Sequence, residues 1–162
     1  VKRGQGVAPG KQCGPCTACC TVLAVDELTK PKGTPCPKLC AAGCGIYETR
    51  PTSCRGFFCL WLQGALDQDG PRPDWRPDRV GLVVDYQAES PVGDVMKVHE
   101  VRPGAAETPG ALELLGFLVH AGFLVVLFGV DQSTPRRLLG PPGRLALAQA
   151  VLESIGKPVQ MR

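Results

Sequence analysis

Residues Lys11–Cys20 read KQCGPCTACC, and the fold of the first third of the chain turns on what those four thiols do. Cys13-Gly14-Pro15-Cys16 has the form of a thioredoxin-type redox dithiol. Such a site needs a buried strand to deliver its first cysteine and a helix to carry the second. The preceding GQGVAPGKQ is too rich in glycine to form that strand, and Cys19 and Cys20 would exchange with the dithiol. A disulfide framework suits small secreted chains with an even number of cysteines. This chain has nine, and no apolar leader follows its basic start.

Metal coordination fits the spacing better. Cys13-x-x-Cys16-x-x-Cys19-Cys20 sets thiols at metal-ligand intervals, and a helical turn would put Cys16, Cys19 and Cys20 on one face. The free N–H groups that open such a helix favour thiolate over thiol. In an extended segment Cys19 and Cys20 would point to opposite sides, so that each serves a different ion.

All nine cysteines fall between Cys13 and Cys59, and the rest of the chain has none. Two tetrahedral thiolate sites use eight ligands. Cys13, Cys16, Cys19, Cys20, Cys36, Cys44, Cys54 and Cys59 are the expected set, with Cys40 spare. The contrast divides the sequence into a basic flexible tail (1–12), a cysteine-rich metal-binding module (13–67), a linker (68–78) crowded with prolines and charges, and a cysteine-free half (79–162).

The ordered motifs carry a resemblance. Cys13-x-x-Cys16-x-x-Cys19-Cys20, then Cys36-Pro37-x-Leu39, then Cys44-x-Ile46-Tyr47-x-x-Arg50-Pro51-x-x-Cys54-Arg55-x-Phe57 resembles the YkgJ-type cysteine-cluster family, a zinc- or iron-chelating domain. The likeness covers residues 13–62 and implies metal binding by cysteines; Cys40 lies outside its pattern. Pro51 suits the first turn of a short helix that aims Cys54 at the cluster. Arg50 and Arg55 are placed to donate hydrogen bonds to ligand sulfurs, or else to pair with Glu48. Tyr47, Phe57, Phe58 and Trp61 are expected to form the module's small core. About 50 residues give too little apolar area to fold securely alone, and metal binding would supply the deficit.

Zinc is the expected metal, with an iron–sulfur cluster acting in electron transfer or as an oxidoreductase the alternative, since both take cysteine ligands. The bacterial ferredoxin spacing is not kept, because Cys20 directly follows Cys19 and the next Cys-Pro is Cys36-Pro37. No phosphate loop, dinucleotide fingerprint or nucleophile elbow is present, and His99 and His120 read as structural or surface groups, so catalysis is not expected. An all-thiolate site is closed, which suits structural or chelating zinc.

A net charge of +3, with 44% apolar and 20% charged residues, describes a globular chain rather than a disordered one. The excess comes from Lys2, Arg3 and Lys11. No basic, aromatic-studded helix appears, which argues against nucleic acid. The uncharged run Leu114–Val130 is short for a membrane span and contains three glycines. It reads as a helix, a turn at Gly122 and a buried strand, giving a cytoplasmic protein with no membrane contact.

In the second half, Val80, Leu82, Val84 and Tyr86 alternate as a half-buried strand. VMKVHEV, 95–101, is its hairpin partner through QAESPVGD. A helix opens at Thr108-Pro109, with Leu112, Leu115 and Val119 inward, and stops at Gly122. The strand FLVVLFG, 123–129, a loop at Asp131–Pro135, and a last helix from Pro142 to Gly156 with Leu145, Ala148, Leu152 and Ile155 inward complete a β-β-α-β-α order. The class is α+β, with helices on one side of a small sheet and a surface on this half for a possible protein partner.

Overall fold

Alternation in the second half produces the expected hairpin. In the computed structural model, which describes residues 6–131 and 135–154, strand β3 (Leu82–Ser90) pairs antiparallel with β4 (Gly93–Glu100), Val84 opposite Val98; these follow, in chain order, the elements of the cysteine-rich segment, α1 (Ala18–Val22), β1 (Leu39–Cys40), β2 (Gly43–Cys44), α2 (Thr52–Gly56) and α3 (Pro77–Val80). Both strands run further than the apolar pattern suggests. A bulge between Gln87 and Ser90 lets polar residues continue the ladder to a turn at Pro91-Val92.

Helix α4 (Pro109–His120) begins with its proline in the first turn, where a missing N–H costs nothing. Gly122, at φ +86°, turns the chain into β5 (Leu124–Phe128), parallel to β4. Ala111, Leu114, Leu115 and Leu118 are the buried face of α4, while Leu112 is 50% exposed. The expected stripe is therefore one residue out of phase, because a helix apolar nearly all round does not fix its own orientation.

One strand was not expected. β6 (Pro135–Leu139) pairs antiparallel with β5 and closes the sheet order β3-β4-β5-β6. It starts with proline and carries Arg137, features that suit an edge strand but hide it from a search for apolar alternation. Of the expected 131–135 loop, residues 132–134 lie outside the described residues. Helix α5 (Pro142–Ser154) starts as expected, with Ala148 buried and Leu145 and Leu152 packed beside it. Ile155 and the stop at Gly156 lie outside the described residues.

The chain is α+β, but its helices lie on both faces of the sheet. Leu82, Val84, Met96, Val98, Val125 and Leu127 share the face covered by α4. Val95, Leu124 and Leu138 point the other way, against α5. Val83 shares that second face and meets α1. The cysteine-rich segment thus begins on the surface of the sheet itself.

Within residues 68–78, expected as a linker, Trp75 and Pro77 are buried. Trp75 is 2% exposed and packs on Phe117 with ring centroids 5.1 Å apart. Pro73 and Pro77 each open a helical turn, a 3₁₀ turn at Pro73–Trp75 and then α3. Leu60, Ala65 and Leu66 belong to the same core as Trp75 and the sheet, and the Leu60 N–H donates to the Val84 carbonyl at 3.0 Å. The proposed tail is anchored in part as well. Lys11 Nζ stands 2.7 Å from the Asp67 carboxylate and 4.2 Å above the Trp61 ring; residues 1–5 lie outside the described residues. Among the described residues no helix is long and apolar enough to cross a membrane.

Candidate metal centre

Four short pieces of chain bring the cysteines together. The first is the Cys13–Cys16 turn, closed by the Cys16 N–H donating to the Cys13 carbonyl at 2.9 Å. Helix α1 follows, and its Ala18 and Val22, four residues apart, are buried against Val83. That contact fixes where Cys19 and Cys20 stand. Cys16 precedes the helix, so the expected common helical face of Cys16, Cys19 and Cys20 does not form.

The second piece is the loop from Val25 to Cys36, and Lys30 organises it. Lys30 is 3% exposed. Its ammonium donates to the carbonyls of Thr21 (3.1 Å), Pro31 (3.0 Å) and Leu23, using all three protons on backbone oxygens around the end of α1. The Cys36 N–H then donates to the Cys20 carbonyl at 3.1 Å, which holds Cys36 against α1.

The β1–β2 hairpin is the third. Gly43 has φ +115°, and a Cβ there would lie 2.8 Å from the Gly14 carbonyl oxygen. Only glycine lets the hairpin sit so close to the Cys13–Cys16 turn, and this closeness brings Cys44 to Cys13. The fourth piece is α2, preceded by Pro51. Its start is held from a distance, since the Glu27 carboxylate accepts from the Ser53 N–H (3.1 Å) and hydroxyl (2.7 Å). The negative charge suits that end of the helix.

Between these pieces is a cavity of about 340 Å³ lined by Cys13, Cys16, Cys19, Cys20, Cys36, Cys44 and Cys54. A smaller one of about 30 Å³, against the sheet at Val83, is lined by Cys13, Cys16, Cys19 and Cys59. All eight expected ligands therefore line one or both cavities. Cys40 lines neither and is the one exposed cysteine. All nine are free thiols. Among the described residues, no three His, Cys, Asp or Glu side chains stand at metal-coordinating geometry. Thiolates are ligands that a thiophilic metal takes, and the cavities place such groups on shared walls without gathering them at coordinating distance.

The electrostatics follow from burial and two cations. Burial pushes the Cys13, Cys16 and Cys54 thiols above their ordinary range and Cys59 up to about 12. Cys19 donates its S–H to the Cys20 sulfur, which raises Cys19 and lowers Cys20, and Lys30 and Arg50 lower Cys20 further. Arg50 lines the large cavity and stacks 3.9 Å above the Tyr47 ring, and its buried Nε–H meets no acceptor among the described residues, so the hydrogen bond expected from it to a sulfur is not made by that atom. Arg55 is exposed on α2 and is not brought to the cavity. Tyr47, expected in the core, is 39% exposed and hydrogen-bonds Cys13. Phe57 and Phe58 line the large cavity, and Trp61 donates its Nε1–H to the Arg72 carbonyl at 2.8 Å.

Lys30, Glu27 and Asp85 were not singled out from the sequence. Asp85 adds a carboxylate to the cavity wall. A lysine in LTKPKG carries no local sign of burial, because its three acceptors come from a fold the cysteines help to define. Replacing it leaves those carbonyls unpaired. Lys30→Met is expected to destabilise the chain by about 1–3 kcal/mol, measured by urea unfolding.

His99 is buried and stacks on Phe128 at 5.1 Å, and His120 sits on the exposed end of α4; neither lines either of the two cysteine-lined cavities. The resemblance of residues 13–62 rests on the motif residues alone: no protein-family model, curated protein or solved structure matches the chain.

Proposed function

We propose that the chain binds metal through the cysteines around its two cavities, with two zinc ions in a structural or chelating role. The observation that carries this reading is the gathering of eight free thiols, seven from those four pieces of chain and Cys59 from the segment before Leu60, around two adjoining spaces. Buried neutral thiols gain nothing from such crowding; thiolates sharing a cation do. Bound zinc would supply a fixed positive centre that deprotonates its ligands and ties the four pieces to one another. The YkgJ-like order of the cysteines supports the same reading.

An iron–sulfur cluster is the second reading, favoured by the size of the larger cavity. At about 340 Å³ it exceeds what bare ions fill, and inorganic sulfide would bring bulk of its own. Visible absorption separates the two. Zinc-loaded protein prepared without oxygen is colourless, whereas an iron–sulfur protein is brown.

Metal content of single variants tests the ligand assignment. Cys16→Ser and Cys54→Ser are each expected to lower bound metal by about half or more and to loosen the cysteine-rich segment. Cys40→Ser is expected to change neither. Equal metal loss from Cys40→Ser would show that the exposed thiol is a ligand after all.

A further inference from the structure

We propose that the eight cavity cysteines divide into two four-thiol sites, an inner one of Cys13, Cys16, Cys19 and Cys59 and an outer one of Cys20, Cys36, Cys44 and Cys54. This division rests on the metal-binding reading above and deepens it. The inner four are the cysteines that line the small cavity, and the outer four line only the large one.

The two groups hang from different parts of the fold. Cys19 sits on α1 beside Ala18 and Val22, which are buried on Val83. Cys59 precedes Leu60, whose N–H is bonded to Val84. Cys13 and Cys16 close one turn. Cys16, Cys19 and Cys59 thus pack beside Val83 of β3, with Cys13 joined to Cys16 by its turn. Of the outer group only Cys20 shares α1; Cys36 is tied to it by a backbone bond, Cys54 follows the residue gripped by Glu27, and Cys44 ends the β2 strand. Successive residues on a helix point about 100° apart, and of these neighbours Cys19 reaches both cavities whereas Cys20 lines only the large one.

Charge compensation overlaps between the groups but is weighted differently. Backbone N–H groups reach Cys16 from Ala18 and Asp78 and Cys59 from Leu62 and Trp61. Buried Lys30 lies within reach of outer Cys36, Cys20 and Cys54 and of inner Cys19, and Arg50 within reach of outer Cys44 and Cys20 and of inner Cys13. A small space with rigid backbone donors suits one tightly held ion. A large space between loops suits an ion that exchanges. The outer ion is therefore the one available for transfer.

Zinc-loaded full-length chain, treated with stepwise amounts of a chelator and then with a thiol-alkylating reagent, tests the division by peptide mass spectrometry. Cys40 should label from the outset. As the first zinc leaves, Cys20, Cys36, Cys44 and Cys54 should label together, at least tenfold faster than the inner four, which follow with the second zinc. Cys36→Ser should hold one zinc, with the inner four still protected. If that variant does not fold, the wild-type series decides alone. A first-labelled group that mixes the two sets, or all eight labelling in one step, overturns the division while leaving metal binding intact. A wild-type chain that takes up no zinc overturns both.

Discussion

On the zinc-binding proposal, chelation is expected to unravel residues 13–56 while the sheet stays folded. Only Ala18 and Val22 are buried apolar side chains on α1, and Val83, their partner, belongs to the sheet. Each buried aliphatic side chain of that size contributes at most about 1.5–3 kcal/mol. Ordering the backbone costs about 1–2 kcal/mol per residue, and the segment consists mostly of turns and two-residue strands. Apolar burial cannot close that gap. A structural zinc ion can, because apparent binding free energies of about 10–16 kcal/mol become folding free energy. The sheet has its own core of Leu82, Val84, Met96, Val98, Val125 and Leu127 beneath α4. Hydrogen exchange followed residue by residue should show the amides of Leu23, Cys36 and Gly45 losing protection on chelation. Those of β4 and β5 should keep it. Unchanged protection throughout would mean that the loops hold themselves.

The second large effect lies in the segment that the sequence presents as a linker. Trp75→Ala is expected to cost about 3–5 kcal/mol, the usual loss for emptying a large aromatic site. Phe117 and Arg72, whose guanidinium lies 3.5 Å above the indole, would both lose their partner. The indole Nε1–H is buried and finds no acceptor among the described residues. Trp75→Phe therefore removes an unpaired donor along with some apolar area, and should cost less than half as much. Urea unfolding of both variants, monitored by far-ultraviolet circular dichroism, gives the comparison. A true linker would tolerate either change.

What the sequence discloses depends on whether the signal is local. Alternation in Leu82–Tyr86 and the Pro109 and Pro142 helix starts are properties of adjacent residues, and those elements stand where the pattern puts them. Strand β6 is concealed because an edge strand needs little apolar character. The burial of Trp75 is concealed because prolines that open helical turns resemble prolines that space domains apart. The placement of helices on both faces depends on which strand each helix follows, and missing β6 removed that information. At the site, cysteine spacing separates the eight thiols that line the cavities from exposed Cys40. It did not disclose Lys30 or Glu27, whose partners at Thr21, Leu23 and Ser53 become neighbours only after the loop closes. Arg50 and Arg55 look equivalent in the motif, but Arg50, just before Pro51, lines the cavity, whereas Arg55, on α2, is exposed.

Element-resolved metal analysis of protein prepared without oxygen tests the central claim most directly. The account predicts about two equivalents of zinc per chain, with every cysteine recovered as a thiol after the metal is removed. A chain that carries no zinc or iron and whose cavity cysteines react freely with alkylating reagent, or one whose cysteines are bridged in pairs, would contradict it.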